Sequence, residues 1–515
     1  MKKVLALLIA VAMIFSMAAC NNDKKGSGET LTVAISSSPT SLDEGYSTNA
    51  YCRQVSAHIF ETLYTFDDGS AVIPQLADKT DISSDGLTYN MTLRKGIKFH
   101  DGSTFDADDV VASIERYKTT STYSGSLNDV TVEKVSDYEV KFTCAKKLAL
   151  LSLLAFPQRA IMIPSEIAKA NMGTELKDET LIGTGPYKLK EWQRDVKIVL
   201  EKFDDYVVDT RYDKPMGLGG KRDCYFQTIE IQSVTEVESR IAGLETGEFS
   251  YIDGVPAVSY DRVNDNKDLV ATVVKPGSSI VVELNHAEGF TADLNFRKAL
   301  VAAVDPNKVM LAISSGRTEF IRLDPSLYQP EQYFYTEKGS QGVYNSQNLE
   351  KVKEYLKAAN YNGEELIYLT NRDYPQHYAA SIALIEQWQA AGINVVAEFH
   401  DWTSQIAKAQ TLTGWSINQS SYSARFDPNQ VRNMIHSSTL GAYGFKNADV
   451  DALLDKISEG GSNEERFATW EQLQEKIWEQ IPFIKFGDLL NIDATRADIK
   501  GYTTFYFARF WMFSK

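Results

Sequence analysis

The sequence predicts a mixed α/β protein with at least two domains. Segments in which apolar and polar residues alternate, as in strands, are followed along the chain by segments with the 3.6-residue period of amphipathic helices. The chain has 515 residues, which exceeds the roughly 250–300 residues that one hydrophobic core supports. With 43% hydrophobic and 24% charged residues, the composition excludes a disordered or fibrous chain.

The helices and strands follow from local patterns. The strand segments alternate and are rich in β-branched or aromatic residues, and the helices carry apolar residues at i, i+3, i+4 and i+7. Asp106 is expected to cap its helix, and Gly392 to end another. In chain order the sequence predicts a strand at 30–36, a strand at 87–93, a helix at 103–117, helices at 296–303 and 379–391, a strand at 393–399 and a helix at 450–457.

The charge of the chain excludes one class of partner. The formal net charge is −16, and an acidic surface repels phosphate backbones, so no nucleic-acid partner is expected. Beyond residue 20, no segment approaches the ~18 consecutive apolar residues of a membrane span. Any contact with a membrane is therefore expected at the N-terminus.

The N-terminus predicts export. Lys2 and Lys3 precede an apolar run at 4–15 that ends in small residues and Cys20, the layout of a signal peptide over 1–19. The stretch before Cys20 is similar to a bacterial lipobox, which implies a diacylglyceryl group on the Cys20 sulfur, with 20–30 as a flexible tether. The alternative is an ordinary signal peptide with an incidental cysteine.

The other cysteines and the histidines predict no metal site. Cys52, Cys144 and Cys224 lie 92 and 80 residues apart, which matches no metal-knuckle or redox spacing. We expect most of them to be buried thiols, although export would permit a disulfide. The six histidines are at least 23 residues apart, so no local zinc motif exists. Neither a metal nor another cofactor is expected.

Motifs for catalysis are missing from the sequence. It contains no GxSxG, SxxK, HExxH, GxxxxGK[ST] or GxGxxG pattern. The glycines of 183–186 (GTGP) are followed by a proline where helix amides would be needed, which favours a tight turn over a phosphate loop. We therefore expect no enzyme. A secreted hydrolase with a site assembled from distant residues is the weakest of three hypotheses.

Several segments together resemble one family. These are 58–63 (HIFETL), 85–89 (DGLTY), 93–102 (LRKGIKFHDG), 105–110 (FDADDV), 183–187 (GTGPY), 247–249 (GEF), 295–300 (NFRKAL) and 427–428 (DP). Their order and spacing over most of the chain are similar to bacterial extracellular solute-binding proteins of family 5, which serve ABC importers for peptides, nickel chelates and related solutes.

The resemblance implies a two-lobed fold like that of periplasmic binding proteins, with a small extra domain inserted in the first lobe. Ligand would lie in the cleft between the lobes. Carried onto this chain, the implied division is a first lobe at 30–75, 186–284 and 482–515, an inserted domain at 76–185 and a second lobe at 285–481.

The resemblance also implies a function and partners. The expected protein is a monomeric lipoprotein, anchored on the extracellular face of the cell membrane, or periplasmic in a cell with an outer membrane. It would capture a small solute, most often a peptide, and deliver it to two ABC permease subunits. The second hypothesis is a receptor for a non-peptide solute such as an oligosaccharide, a metal chelate or another anionic compound.

The segment at 415–428 bears on the ligand. In peptide-binding relatives an aspartate three residues before the Asp-Pro pair holds the amino terminus of the peptide, and here that position is Ala424. Burying an ammonium group unpaired costs several kcal/mol, which argues against an ordinary free-amine peptide. Arg425 offers a planar fork for a carboxylate or phosphate, or else it pairs with a neighbouring acid.

The remaining site predictions come from loops expected at the cleft edges, where aromatic walls and a few polar groups make a ligand pocket. Arg297 is expected in a structural ion pair, and Trp388 in a core. The candidate ligand-binding residues are Ser38, Tyr46, Asn285, Arg372, Trp402, Trp415, Ser421, Tyr422, Arg425 and Asp427, and Tyr374 is a further candidate at the cleft edge.

Overall fold

A computed structural model describes residues 29–47, 49–120 and 127–515. The predicted signal peptide and Cys20 lie outside the described residues. No helix in the described ranges combines the length and the apolar character needed to cross a bilayer. Two large sheets organise this part of the chain, and we use first lobe and second lobe for the parts built on each of them.

The first lobe is built on a seven-stranded mixed sheet. Its central strand, Thr30–Ile35, is parallel to the strands on both sides, and the remaining pairs are antiparallel. The central strand is apolar and buried because helices and loops cover the sheet. In sheet order the strands are Leu269–Val273, Ile492–Arg496, Tyr251–Ile252, Thr30–Ile35, Thr228–Ser233, Lys197–Lys202 and Tyr187–Gln193.

The second lobe is built on a six-stranded sheet. Strand Leu366–Asn371 is parallel to both of its neighbours, so the carboxyl ends of three strands meet at one edge. In sheet order the strands are Ile321–Arg322, Phe483–Leu489, Ser278–Leu284, Ile417–Tyr422, Leu366–Asn371 and Val395–His400.

A four-stranded antiparallel sheet is inserted in the sequence between the first-lobe strands Thr30–Ile35 and Tyr187–Gln193. Its apolar face packs into the same hydrophobic cluster as the first-lobe sheet, so the two share one core. Its strands, in sheet order, are Ala77–Ile82, Thr88–Leu93, Glu139–Cys144 and Val130–Ser136, and two short hairpin pairs are Tyr64–Phe66 with Val72–Pro74 and Pro215–Met216 with Gly219–Gly220.

The helices cover the sheets. Several have side-chain caps, for example Asn49 and Asp293, which accept hydrogen bonds from the first free amides of their helices. The α-helices are Ala50–Ile59, Ala107–Thr120, Leu150–Leu154, Pro157–Ala160, Ser165–Ala170, Val237–Thr246, Tyr260–Asn264, Leu294–Ala303, Pro306–Ile313, Leu349–Ala358, Pro375–Ala390, Trp402–Gln410, Arg432–Ile435, Ala448–Ser458 and Asn463–Gln480.

The predicted mixed α/β class is confirmed, and so are the predicted elements apart from their ends. The helix predicted at 379–391 begins four residues earlier, at Pro375, because proline is favoured in the first turn. Asp106 accepts the amide of Asp108 at 2.8 Å, as a cap does. In the turn at 183–186, the Gly185 amide donates to Ile59 O at 2.9 Å and is not available to a phosphate.

The division into lobes and an inserted domain stays a prediction, and sheet membership shifts two of its boundaries. Strands Ser278–Leu284 and Phe483–Leu489 both lie in the second-lobe sheet, although the expected bounds place them in the first lobe. Alternation of side chains shows that a segment is a strand but not which sheet it joins.

Three predictions concern buried side chains, and one of them is wrong. Cys52, Cys144 and Cys224 are buried free thiols. Trp388 is fully buried and donates its indole N–H to Leu300 O at 3.0 Å. Arg297, however, makes no ion pair among the described residues; it donates to the carbonyl oxygens of Thr291, Ala292 and Gln480, since the nearby helix end leaves carbonyls unpaired.

Candidate functional site

The segment at 425–427, which follows a second-lobe strand, packs against the first lobe. Phe426 is buried in the core of the first lobe. Its ring stacks on that of Tyr506 with centroids 3.6 Å apart and lies 5.0 Å from the ring of Phe66. Tyr506 also donates to Arg425 O at 2.9 Å. A second-lobe side chain therefore completes the interior of the first lobe.

Asp427 adds a polar contact between distant parts of the chain. One carboxylate oxygen accepts from Arg466 at 2.7 Å and the other from the Ser152 hydroxyl at 2.6 Å. Burial alone would raise the pKa of Asp427, but the Arg466 guanidinium and these hydrogen bonds hold it below its ordinary value. Asp427 is 1% exposed, so these contacts hold the segment in place, and its role in ligand binding stays a prediction.

A cavity of about 280 Å³ lies beside this segment, between the lobes. Its lining includes Arg53 of the first lobe, on helix Ala50–Ile59, and Arg425 and Glu283 of the second lobe. The lining residues are Arg53, Phe156, Gln158, Glu283, Arg425, Gln430, Asn433, Met434 and Gly441. Both lobes and the helices after the four-stranded sheet thus contribute to one space.

Glu283 is the acidic group of this cavity. Its carboxylate accepts from the Tyr422 hydroxyl at 2.7 Å and from the Asn418 amide at 2.8 Å. Burial raises the pKa of Glu283 above its ordinary value, although these hydrogen bonds oppose the shift. Arg425 lies over the Tyr422 ring, 5.0 Å from its centroid. Tyr422 therefore contacts both the Glu283 carboxylate and the Arg425 guanidinium.

A second polar cluster occupies the edge of the first-lobe sheet, where Thr30–Ile35 and Tyr251–Ile252 end. Asp253 accepts from Tyr51 at 2.5 Å and from Ser36 at 3.2 Å. Asp493 accepts from Tyr251 at 2.6 Å and from Tyr502 at 2.7 Å. We call these six residues the carboxyl–tyrosine cluster.

The carboxylates of this cluster have unusual protonation. Burial, followed by the charge of Asp253, raises the pKa of Asp493 to about 6. Burial also raises the pKa of Asp253, against its hydrogen bonds and the charge of Arg240. Arg240 Nε lies 3.6 Å from an Asp253 oxygen, beyond hydrogen-bond distance. The two acids therefore depend on neutral donors, namely the hydroxyl groups and, for Asp493, the Gly254 amide at 3.3 Å.

A third group lies at the carboxyl edge of the second-lobe sheet. His377 Nε2 lies 3.1 Å from the Ser421 hydroxyl, and its ring lies 5.6 Å from that of Trp402 and 4.9 Å from that of Tyr374. Burial lowers the pKa of His377 to about 4, so it is neutral at pH 7. Arg372, at the same edge, lies over the Phe399 ring, 4.8 Å from its centroid.

The structure separates the predicted site residues into groups. Arg425 lines the inter-lobe cavity, and Tyr422 lies behind its wall in contact with Glu283 and Arg425. Ser421 and Trp402 meet at the second-lobe edge through His377. Ser38 and Tyr46 lie in the loops after the first strand, half-buried and exposed respectively. These positions describe where the side chains lie; their binding roles stay predictions.

Two predicted ligand residues are buried in structural contacts. The Asn285 amide nitrogen donates to Leu412 O at 3.1 Å and to Trp415 O at 3.0 Å, which fixes a loop. Trp415 is 3% exposed and packs on Tyr443, with ring centroids 5.5 Å apart. Asn285 lies near the expected crossing between the lobes and Trp415 in a segment without clear periodicity, which suggests a cleft edge, but both side chains are buried.

Sequence reasoning missed Arg53, Glu283, Asp253 and Asp493. Arg53 is one polar residue in a helix whose other residues are largely buried, and Glu283 is an acid in an apolar strand, VVEL at 281–284. A charged residue inside a buried strand is a usable signal, because such residues are seldom buried without a role. The two aspartates lie 240 positions apart in the numbering, and no local pattern joins them.

Metal binding finds no support in the described ranges. There, no group of three or more His, Cys, Asp or Glu side chains is placed to hold a metal ion. The contacts of the site are hydrogen bonds, ring stacks and guanidinium groups, which suit binding of an organic solute.

Known proteins share the sequence pattern and the fold. The bacterial extracellular solute-binding proteins, family 5 Middle, match residues 71–442. Oligopeptide-binding protein AppA of Bacillus subtilis (strain 168) is 24% identical, over 97% of this chain and 96% of that protein.

Solved structures with the same fold cover nearly the whole chain. The ABC transporter substrate binding protein CtaP from Listeria monocytogenes has a TM-score of 0.81 at 20% identity, over 95% of this chain and 99% of that one. AppA from Bacillus subtilis, in complex with a nonapeptide, has a TM-score of 0.76 at 22% identity, over 95% and 99%. The two-lobed fold is thereby confirmed. The chain belongs to the bacterial extracellular solute-binding proteins of family 5, which are substrate-binding proteins of ABC transporters and not enzymes.

Proposed function

We propose that this protein is a lipid-anchored receptor that captures a small extracellular solute, in most cases a peptide or peptide-like molecule, between its lobes and delivers it to the permease subunits of an ABC importer. The residues proposed to contact the solute are Arg425 at the cavity and Tyr422 beside it, with Ser421, Trp402 and Arg372 at the second-lobe edge and Ser38 and Tyr46 on the first lobe.

The observation that carries this proposal is the cavity lined from both lobes. A solute in it contacts Arg53 of the first lobe and Arg425 of the second at the same time, which requires the lobes to be together. Binding energy that exists only in the closed form shifts the population toward that form. The importer can then distinguish the loaded receptor from the empty one.

A peptide is favoured by the relatives. The B. subtilis relative is an oligopeptide-binding protein, and its solved structure contains a nonapeptide. The backbone of a peptide can be held by main-chain hydrogen bonds whatever its side chains are. Loss of one amine-binding carboxylate at Ala424 therefore changes which peptides bind without removing the class.

The test is direct identification of the solute. The purified protein is denatured and the released small molecules are identified by mass spectrometry, and calorimetry then measures binding of a pool of di- to pentapeptides. We expect peptides in the released fraction and a binding heat with the pool. A released sugar or chelate, together with no heat from any peptide, would contradict the peptide class.

A non-peptide solute is the second candidate, and the segment Ala424–Arg425 favours it. A free ammonium group placed there meets a methyl group and a guanidinium, which is unfavourable for a cation. The gain-of-function variant Ala424→Asp tests this point. We expect the variant to bind free-amine peptides about tenfold more tightly than the wild type, since a charge-assisted hydrogen bond contributes ~1.5–3 kcal/mol. Equal affinities in calorimetry would contradict the assigned role of position 424.

Anchoring at Cys20 has a separate test. Cells expressing the protein are labelled with radioactive palmitate, and the membrane fraction is compared between the wild type and Cys20→Ser. We expect label and membrane association in the wild type and neither in the variant, because the sulfur is the proposed attachment atom. A labelled variant would contradict anchoring at this residue.

A further inference from the structure

The Ser421 hydroxyl lies near the end of the strand that leads to the inter-lobe cavity. Ser421 belongs to strand Ile417–Tyr422, and the segment continues to Arg425, which lines the cavity. Ser421 is half-buried, and within the described ranges its hydroxyl contacts one polar group, His377 Nε2 at 3.1 Å. The direction of this hydrogen bond decides what Ser421 offers to a solute.

The hydrogen bonds of Asn371 fix which nitrogen of His377 carries the proton. The side-chain oxygen of Asn371 accepts from the Tyr374 amide at 3.0 Å, so the other side-chain atom is the NH2 group. This group lies 3.1 Å from His377 Nδ1. Because an NH2 group only donates, Nδ1 is the acceptor and the proton of the neutral ring is on Nε2. His377 Nε2 therefore donates to the Ser421 oxygen.

A second amide holds Asn371 in this orientation. The Asn371 nitrogen donates to Gln405 Oε1 at 2.7 Å, and Gln405 Nε2 donates to the backbone oxygen of Gln419 at 2.8 Å. Asn371 and Gln405 are both fully buried. A reversed amide at either position would place two donors or two acceptors in contact, which is costly in a buried site. Backbone groups at both ends of this chain of hydrogen bonds therefore set its direction.

We propose that Ser421 donates its hydroxyl hydrogen to a neutral carbonyl oxygen of the solute, and that His377, Asn371 and Gln405 are positioning residues that leave this hydrogen free. The inference rests on the proposed solute-binding function and gives one of its contacts a direction. The Ser421 oxygen accepts from His377, so its own hydrogen is left for a further partner, and no described residue accepts it.

The surroundings of Ser421 favour a carbonyl over a charged group. His377 is neutral at pH 7 because burial lowers its pKa to about 4. The charged residues of this edge have other contacts, since Arg372 lies over two aromatic rings and Asp373 accepts from the Trp402 amide at 2.7 Å. A charged group at Ser421 would lose water without gaining a charged partner from His377. The carbonyls of a peptide backbone and of an asparagine side chain share the required chemistry.

The tautomer of His377 tests the first step. Nitrogen NMR of the protein with isotope-labelled histidine distinguishes a ring proton on Nε2 from one on Nδ1, and His377→Gln identifies the His377 signals by their loss. We expect the proton on Nε2 at pH 7. A proton on Nδ1 would make Ser421 the donor to His377 and would overturn the proposal. In Gln405→Met the Nδ1 form should appear, because Asn371 loses its acceptor; an unchanged tautomer would overturn the role of Gln405.

Matched peptides test the second step. Calorimetry compares Ala-Ala-Ala with analogues in which one backbone carbonyl oxygen is replaced by sulfur, a weaker acceptor. A second set compares tripeptides of alanine that carry asparagine with those that carry leucine at the same position. We expect one replacement to weaken binding about two- to tenfold, the range of a neutral hydrogen bond. The set in which it occurs identifies the carbonyl as backbone or side chain.

Variants assign this difference to the hydroxyl. In Ser421→Ala the same replacement should change the affinity less than about twofold, because the donor is gone. The control is Ser136→Ala, since Ser136 is an exposed strand residue of the four-stranded sheet; it should keep the wild-type difference. Thermal melts of all variants check that each one folds.

The outcomes separate this inference from the proposed function. Peptide binding in which every replacement acts equally on the wild type and Ser421→Ala would overturn the carbonyl contact and leave the peptide receptor intact. Absence of binding by every tripeptide, with the protein folded, would overturn the peptide function and the contact with it.

Discussion

Asp427 between the lobes and Asp493 in the carboxyl–tyrosine cluster are both buried carboxylates, yet their pKa values are displaced in opposite directions. Asp427 accepts from the Arg466 guanidinium, and its pKa lies below the ordinary value. Asp493 accepts from two tyrosine hydroxyls beside a second acid, and its pKa rises to about 6. A full cationic partner, more than the degree of burial, decides which form of a buried acid is stable.

The difference also separates two roles. Asp427 stays charged across the physiological range and fixes the second-lobe segment that packs against the first lobe. Asp493, whose pKa is about 6, changes its charge near that pH at the edge of the first-lobe sheet. The contrast between the two acids predicts three effects on stability, of decreasing size.

Removing Asp427 should cost the most. Asp427→Ala leaves Arg466, itself 4% exposed, without its acid, and breaking a buried ion pair typically costs about 3–5 kcal/mol. The free energy of unfolding is measured by denaturant titration. The matched control is Asp455→Ala, which breaks an exposed pair with Arg432 and should cost less than about 1 kcal/mol. Similar losses in the two variants would contradict the structural role assigned to Asp427.

Asp493 should make the protein less stable as the pH rises. Its pKa is raised on folding, so between about 3.8 and 6 the native state binds more protons than the unfolded chain, and stability falls with rising pH through that window. Asp427 has a lowered pKa and contributes no change there, since its stability is lost only below the ordinary value.

The variant Asp493→Asn isolates this effect. In the wild type, ionisation of Asp493 should make the unfolding free energy about 1 kcal/mol smaller at pH 7 than at pH 5. The variant cannot ionise at this position, so this part of the difference should be absent. Denaturant titrations at the two pH values measure the difference, and the wild-type comparison cancels the buried histidines, which titrate in the opposite sense. Identical pH profiles would show that Asp493 does not carry the charge change.

The tyrosine hydroxyls should have the smallest effect. Tyr502→Phe removes one donor to Asp493, while Tyr251 and the Gly254 amide still donate to it, so the variant should cost about 0.5 kcal/mol at pH 7 and raise the pKa of Asp493 further. The control Tyr46→Phe alters an exposed tyrosine and should change the unfolding free energy by less than ~0.5 kcal/mol. The higher pKa should enlarge the loss of unfolding free energy between pH 5 and pH 7. A smaller loss in Tyr502→Phe than in the wild type would show that the hydroxyl does not stabilise the charged form of Asp493.

Most of the fold could be predicted, and the site only in part. Periodicity located the helix at Leu294–Ala303 and the strand at Thr88–Leu93, because burial of one face imposes a repeat that is visible in the sequence. Periodicity does not report sheet membership, so Phe483–Leu489 was expected in the wrong lobe. The family resemblance implied the two-lobed architecture, which local patterns alone do not contain.

The site depended on contacts between distant residues. Tyr422 and Arg425 were predicted because they lie in one segment next to the Asp-Pro pair. Arg53 and Glu283, which complete the same cavity, come from other parts of the chain and have no pattern in common with that segment. Arg297 shows a further limit, since a buried guanidinium can be satisfied by carbonyl oxygens alone, and these leave no mark in the sequence.

The position of Phe426 has a consequence for folding. Its ring belongs to the interior of one lobe while the strand before it belongs to the other, so the first lobe alone would lack an aromatic side chain whose removal typically costs about 3–5 kcal/mol. The lobes should therefore melt in a single cooperative calorimetric transition rather than as two independent units.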